Sequence, residues 1–159
     1  MEGAFALNIA FFLTPKNMVA YLYDDYTLEQ CLRKMRNLGY SAIPVITREG
    51  QFAGTVSEGD LLWYLVEDGV QKTYDSEKPD VRIRDIVCRN TNPPVRITAA
   101  VEELLDRAMN QNFVPVVDDN GSFVGIITRR DIIKYFCDVN GMLPREHAGG
   151  PTAAPQREE

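Results

Sequence analysis

Two tetrapeptides bring a hydroxyl and a carboxylate together within four residues: Ser57-Glu58-Gly59-Asp60 and Thr128-Arg129-Arg130-Asp131. Ser or Thr three positions ahead of Asp, directly before an apolar run, is the pattern that opens a helix, with the hydroxyl accepting from a first-turn N–H. The remaining first-turn N–H groups lie at the positive end of the helix and favour phosphate. Arg129 and Arg130 add two fork-shaped cations where that anion would lie, each suited to paired hydrogen bonds with it. The carboxylate of Asp60 or Asp131 is suited to accept from two ribose hydroxyls. Glu58 repels phosphate, so the first site is expected to be the weaker. The same residues also read as plain helix caps, and both readings stand at this level.

Other chemistry is thinly supplied. The single histidine, His147, falls in a Gly/Pro/Glu-rich stretch, which leaves the folded body without a Ser-His-Asp triad, a Cys-His pair or a multi-histidine metal site. No catalytic residue, metal site or cofactor is therefore expected, and the chain is not read as an enzyme. Cys31, Cys88 and Cys137 are odd in number and far apart, so they read as reduced thiols of a cytoplasmic protein. Lys and Arg number 17 against 23 Asp and Glu, and 17 − 23 = −6 argues against a nucleic-acid coat. A local basic site for a small anion survives that argument. The apolar stretch 4–13 is broken by Asn8 and falls short of the roughly 20 residues that span a bilayer. It is read as a helix that packs on the body, with no membrane contact.

The elements that must position these residues emerge from self-comparison. Residues 41–65 lie over 112–136 without a gap at a constant offset of 71, with Pro44/Pro115, Val45/Val116, Gly50/Gly121, Phe52/Phe123, Gly54/Gly125, Asp60/Asp131 and Tyr64/Tyr135 identical. In each copy a β-branched run (42–46; 113–117), a polar Gly turn and a second run (52–56; 123–127) predict a hairpin. Upstream, Leu28, Cys31, Leu32 and Met35, and Val101, Leu104, Leu105 and Ala108, share helical faces. Residues 19–23 and 95–97 read as short strands ahead of those helices, and 81–87 as a helix leading into the second copy. The fold class is α/β (α+β): two β-α-β-β-α repeats, 12–68 and 81–140, joined by a linker over 69–80 and followed by a disordered tail over 141–159. A unit of about 60 residues buries little alone, so the two are expected to pack through their sheets as a pseudo-twofold pair with clefts between them. Trp63 has Lys134 as its repeat partner, which places it at a surface or a core edge.

The pieces GYSAIPV with GQFAGTVSEGDLL, and NFVPVVD with GSFVGIITRRDII, resemble the CBS-domain family, specifically a stand-alone tandem CBS pair or Bateman module. The resemblance implies a regulatory sensor that binds an adenine-containing nucleotide in the clefts between repeats, as a homodimer, and signals to an effector protein. It implies a ligand site of Ala20, Tyr40, Ala42, Ile43, Pro44, Thr128, Arg129, Arg130 and Asp131. A second, weaker site would use Ser57, Asp60, Val114 and Pro115. Residues around Pro44 and Pro115 would floor the adenine, and Tyr40 could stack on a base. The combination of GYSAIP with TRRD is similar to small CBS pairs of Gram-positive bacteria that bind cyclic di-AMP. In those a basic residue precedes the first strand; here Met18 stands at that place and Lys16 is nearby. AMP, ADP and ATP stay open as ligands, and a ligand-free dimerising adaptor is the alternative function.

Overall fold

The computed structural model describes residues 7–69, 81–86 and 92–142. His147, Cys88, the linker beyond Gly69 and the tail beyond Met142 lie outside the described residues. In chain order the elements are a single 3-10 turn (Ile9–Phe12), β1 (Thr14–Pro15), a second 3-10 turn (Lys16–Met18), β2 (Leu22–Tyr23), α1 (Leu28–Leu38), β3 (Ala42–Ile46), β4 (Phe52–Ser57) and α2 (Glu58–Tyr64). After the 3-10 turn Ile83–Asp85 come β5 (Val95–Arg96), α3 (Val101–Asn110), β6 (Phe113–Val117), β7 (Phe123–Thr128) and α4 (Arg129–Val139). The chain divides into two compact units, Ala20–Thr91 and Met1–Val19 with Asn92–Glu159.

The unit Ala20–Thr91 holds a sheet of order β2-β3-β4. β2 runs parallel to β3, Leu22 opposite Val45, and a parallel pair needs a crossover, which α1 supplies. The start of α1 is fixed by a reciprocal box: the Thr27 hydroxyl accepts from the Gln30 N–H, and the Gln30 side-chain oxygen accepts from the Thr27 N–H. Its end is fixed by Gly39, whose φ of 67° is a left-handed conformation open to glycine at little cost. Cys31 and Met35 on α1 pack with Leu22, Ile43, Val45, Val56, Leu61 and Ile83 to form the core. β2 begins opposite Val45, so Pro44 lies one residue beyond that ladder, where its missing N–H leaves no bond unmade.

The other unit repeats this arrangement. β5, α3, β6, β7 and α4 follow the same order, Phe113 stands opposite Thr128 as Ala42 does opposite Ser57, and both hairpins slip register at the equivalent step, after Val45 and after Val116. Its core is Val95, Leu104, Ala108, Val114, Val116, Ile127 and Ile132, completed from the N-terminus by Ile9 and Phe12. The α/β class and the twice-repeated β-α-β-β-α order expected from the sequence are present.

Four local expectations change. The described part of the N-terminal stretch packs on its unit's core through Ile9 and Phe12 as expected, but as one 3-10 turn over Ile9–Phe12, and Pro15 biases Thr14 after it toward extended backbone. The chain then adds β1 antiparallel to β7, making a sheet of order β1-β7-β6-β5. Gly125 permits this pairing: a Cβ there would run into the Thr14 carbonyl oxygen. The strands read over 19–23 and 95–97 shorten to Leu22–Tyr23 and Val95–Arg96. Over 81–86 the helix expected for 81–87 is replaced by an extended bridge from Arg82 to Thr27 and then the single 3-10 turn Ile83–Asp85, with the Asp85 carboxylate accepting from the Arg82 N–H.

Candidate functional site

At the start of α4, Thr128 keeps an extended backbone and its hydroxyl accepts from the Asp131 N–H at 3.1 Å. The Arg129 N–H donates to the Asn112 carbonyl at 2.9 Å, and its side-chain Nε donates to the Ala108 carbonyl at 2.8 Å. Arg130 is exposed, and no described residue pairs with its guanidinium. Asp131 is half-buried, and its carboxylate accepts from no described residue. One helix start therefore presents a cation and a carboxylate without partners among the described residues, together with the positive end of a helix dipole, within a single turn, which suits a phosphorylated sugar.

The equivalent start of α2 is closed. The Ser57 hydroxyl accepts from the Asp60 N–H at 3.1 Å, and the Asp60 carboxylate accepts from the Ser57 N–H at 2.8 Å. With Asp60 turned back onto its own helix and Glu58 and Gly59 in place of the arginines, this end performs the capping role.

The strand residues are placed as follows. Ala42, Ile43 and Pro44 lie on β3, where Ala42 is half-buried and Ile43 and Pro44 are buried, Ile43 in its unit's core opposite Val56 of β4. Val114 is buried likewise in the other core, next to Pro115 on β6. Tyr40 is half-buried between Gly39 and β3, and burial raises its hydroxyl pKa. Ala20 is half-buried ahead of β2. Trp63 is 62% exposed, a surface residue rather than a core edge. Ala20, Tyr40, Ala42, Ile43, Pro44, Ser57 and Asp60 belong to the unit Ala20–Thr91, whereas Val114, Pro115 and Thr128 to Asp131 belong to the other. Among the described residues no group of three or more His, Cys, Asp or Glu could hold a metal ion. No described helix is long and apolar enough to cross a membrane.

Sequence reasoning missed the side chains that hold the segment Tyr21 to Tyr26, just after Ala20. Lys34 on α1 donates to the Tyr21 carbonyl at 2.7 Å and lies over the Tyr21 and Tyr26 rings, and burial lowers its pKa. Arg48 grips both Asp25 carboxylate oxygens at 2.7 and 3.0 Å and stacks 3.9 Å above the Tyr23 ring. The Arg48 hydrogen bond is the largest cause of the lowered Asp25 pKa. The partners in these contacts are 13 and 23 residues apart, and no local pattern marks them.

The chain has informative relatives. It is 29% identical over 105 residues to an uncharacterised protein of Methanopyrus kandleri, covering 64% of this chain and 49% of that protein. It is 29% identical over 119 residues to inosine-5'-monophosphate dehydrogenase of Methanocaldococcus jannaschii, covering 75% of this chain and 22% of that enzyme. It thus spans about half the length of the first relative and about a fifth of the second. Cyclic di-AMP receptor B of Bacillus subtilis is 23% identical over 123 residues, covering 77% of this chain and 82% of that protein. Among solved structures, CbpB in complex with c-di-AMP is similar with TM-score 0.75 and 26% identity, covering 86% of this chain and 88% of that one. CBSX2 in complex with AMP shares the fold, with TM-score 0.67 and 21% identity over 84% of this chain and 98% of that one. The CBS domain profile matches twice, over residues 15–67 and 83–138, the two stretches that contain the two helix starts. The chain belongs to the CBS domain family and carries two CBS domains in tandem.

Proposed function

We propose that this chain is a non-catalytic regulatory module that binds an adenine-containing nucleotide, with cyclic di-AMP the first candidate and AMP, ADP or ATP the others. The observation that carries this reading is the open start of α4 in a tandem CBS pair, where Arg130 and the Asp131 carboxylate stand without partners among the described residues. Thr128, Arg130 and the dipole of α4 take phosphate, and Asp131 takes ribose. Ala20, Tyr40, Ala42, Ile43 and Pro44 of the first repeat serve the base. The weaker site, with Ser57, Asp60, Val114 and Pro115, is disfavoured by the closed box of Asp60. The likeness to a cyclic di-AMP receptor and to CbpB in complex with that ligand supports the choice of first candidate.

The exposed apolar residues support a homodimer. Leu62 and Leu65 recur at the offset of 71 as Ile133 and Phe136, and all four are exposed. A patch repeated twice in one chain suits a partner that presents the same patch twice, namely a second copy. Nucleotide binding shifts the balance among the arrangements of the chain or its dimer, and a cytoplasmic effector protein reads that shift.

A thermal-shift panel tests this reading. A ligand present at a hundred times its Kd adds about 2.7 kcal/mol, or roughly 5–10 °C in Tm for a chain of this size. Cyclic di-AMP or an adenine mononucleotide is expected to give that shift. A flat response to all of them at millimolar concentration contradicts nucleotide binding and favours a ligand-free dimerising adaptor.

A further inference from the structure

α1 and α3 hold the same place in the two repeats and end differently. α1 closes on left-handed Gly39, whose N–H donates to the Met35 carbonyl at 2.9 Å. α3 has no such glycine and passes through Gln111, in extended conformation, into β6. One of its last four carbonyls, that of Ala108, is met instead by the Arg129 Nε at 2.8 Å. The Arg129 N–H also donates to the Asn112 carbonyl, so this one residue holds both the last turn of α3 and the step into β6. A cation at a helix C-terminus is also favourable to the dipole. The first repeat keeps only the backbone half of this contact, Glu58 N–H to the Ser41 carbonyl, since a glutamate side chain has no N–H to donate.

We propose that Arg129 is a positioning residue for the nucleotide site rather than a phosphate ligand equivalent to Arg130. It caps α3 from the first turn of α4 and so fixes where Thr128, Arg130 and Asp131 stand. The two adjacent guanidinium groups divide the work: Arg129 anchors the site to α3, and Arg130 remains for the phosphate. This assignment rests on the nucleotide reading above and narrows it.

The test is calorimetric titration of the full chain with cyclic di-AMP and with AMP, for wild type, Arg129→Met and Arg129→Lys, with amide hydrogen exchange over residues 108–113 of the ligand-free proteins. Arg129→Met is expected to bind about tenfold more weakly and to exchange faster over that stretch, having lost the donor to Ala108. Arg129→Lys keeps a cationic donor without the fork and is expected to restore both to within about threefold of wild type. Affinity unchanged in Arg129→Met overturns the proposal. An Arg129→Lys protein with restored exchange but no recovery of affinity also overturns it, because the fork is then needed on the phosphate itself. The Lys variant decides the matter if the Met variant fails to fold. A wild-type chain that binds neither nucleotide overturns the nucleotide reading and this role together, whereas the variant outcomes overturn this role alone.

Discussion

Asp60 and Asp131 occupy the same repeat position, yet only Asp60 is bonded to the N–H of its own cap residue. Two opposite outcomes follow. Asp60→Ala is expected to lower folding stability by about 1 kcal/mol in urea denaturation and to leave nucleotide affinity alone. Asp131→Ala is expected to cost little stability and to weaken binding measurably. Cys31 gives a further prediction. Burial lifts its thiol from the ordinary 9.0 to about 11, so the fold favours the protonated form. That contribution is fully present below pH 9 and is lost as pH rises through 11. Urea midpoints should fall across this window, and Cys31→Ala should flatten the fall. The residue types of the α4 start were legible in the sequence because Ser/Thr-x-x-Asp is a local pattern. The difference between the two carboxylates was not, because it depends on whether the side chain folds back onto the N–H of its own cap residue.

At the scale of elements, α1 and α3 could be read because one buried face imposes a period of 3.6, and the hairpins because short β-branched runs, buried along nearly their whole length in β3 and β6, are bounded by polar Gly turns. β1 could not. Two residues carry no period, and the pairing of Thr14 with Ile126 depends on a partner strand more than a hundred residues away. Gly125 is the sequence trace of that pairing, visible only once Thr14 is seen above it. Gly125→Ala is expected to push β1 off β7 and lower stability by about 1–3 kcal/mol, seen as a lower urea midpoint and faster amide exchange over residues 9–15. Unchanged exchange there would show that β1 is not held by that approach. The segment at Arg82 carries the same lesson: its bridge to Thr27 is a pairing across 55 residues that no local pattern marks.

For the whole molecule, the net charge of −6 argues against broad anion binding, and Arg130, without a partner among the described residues, is a local exception to it. The twofold repetition of exposed Leu62 with Ile133 and Leu65 with Phe136 predicts a solution mass twice the 18.0 kDa of the chain by light scattering. Leu62→Glu with Ile133→Glu should reduce it to one chain, and a wild-type monomer would remove the dimer from the account. The central claim is that the start of α4 holds a nucleotide phosphate. Its most direct measurement is calorimetric titration of wild type and Arg130→Ala with cyclic di-AMP. Wild type is expected to bind, and the variant to bind more weakly by about 1–3 kcal/mol through loss of a charge-assisted contact. Equal affinity in the two proteins would contradict it.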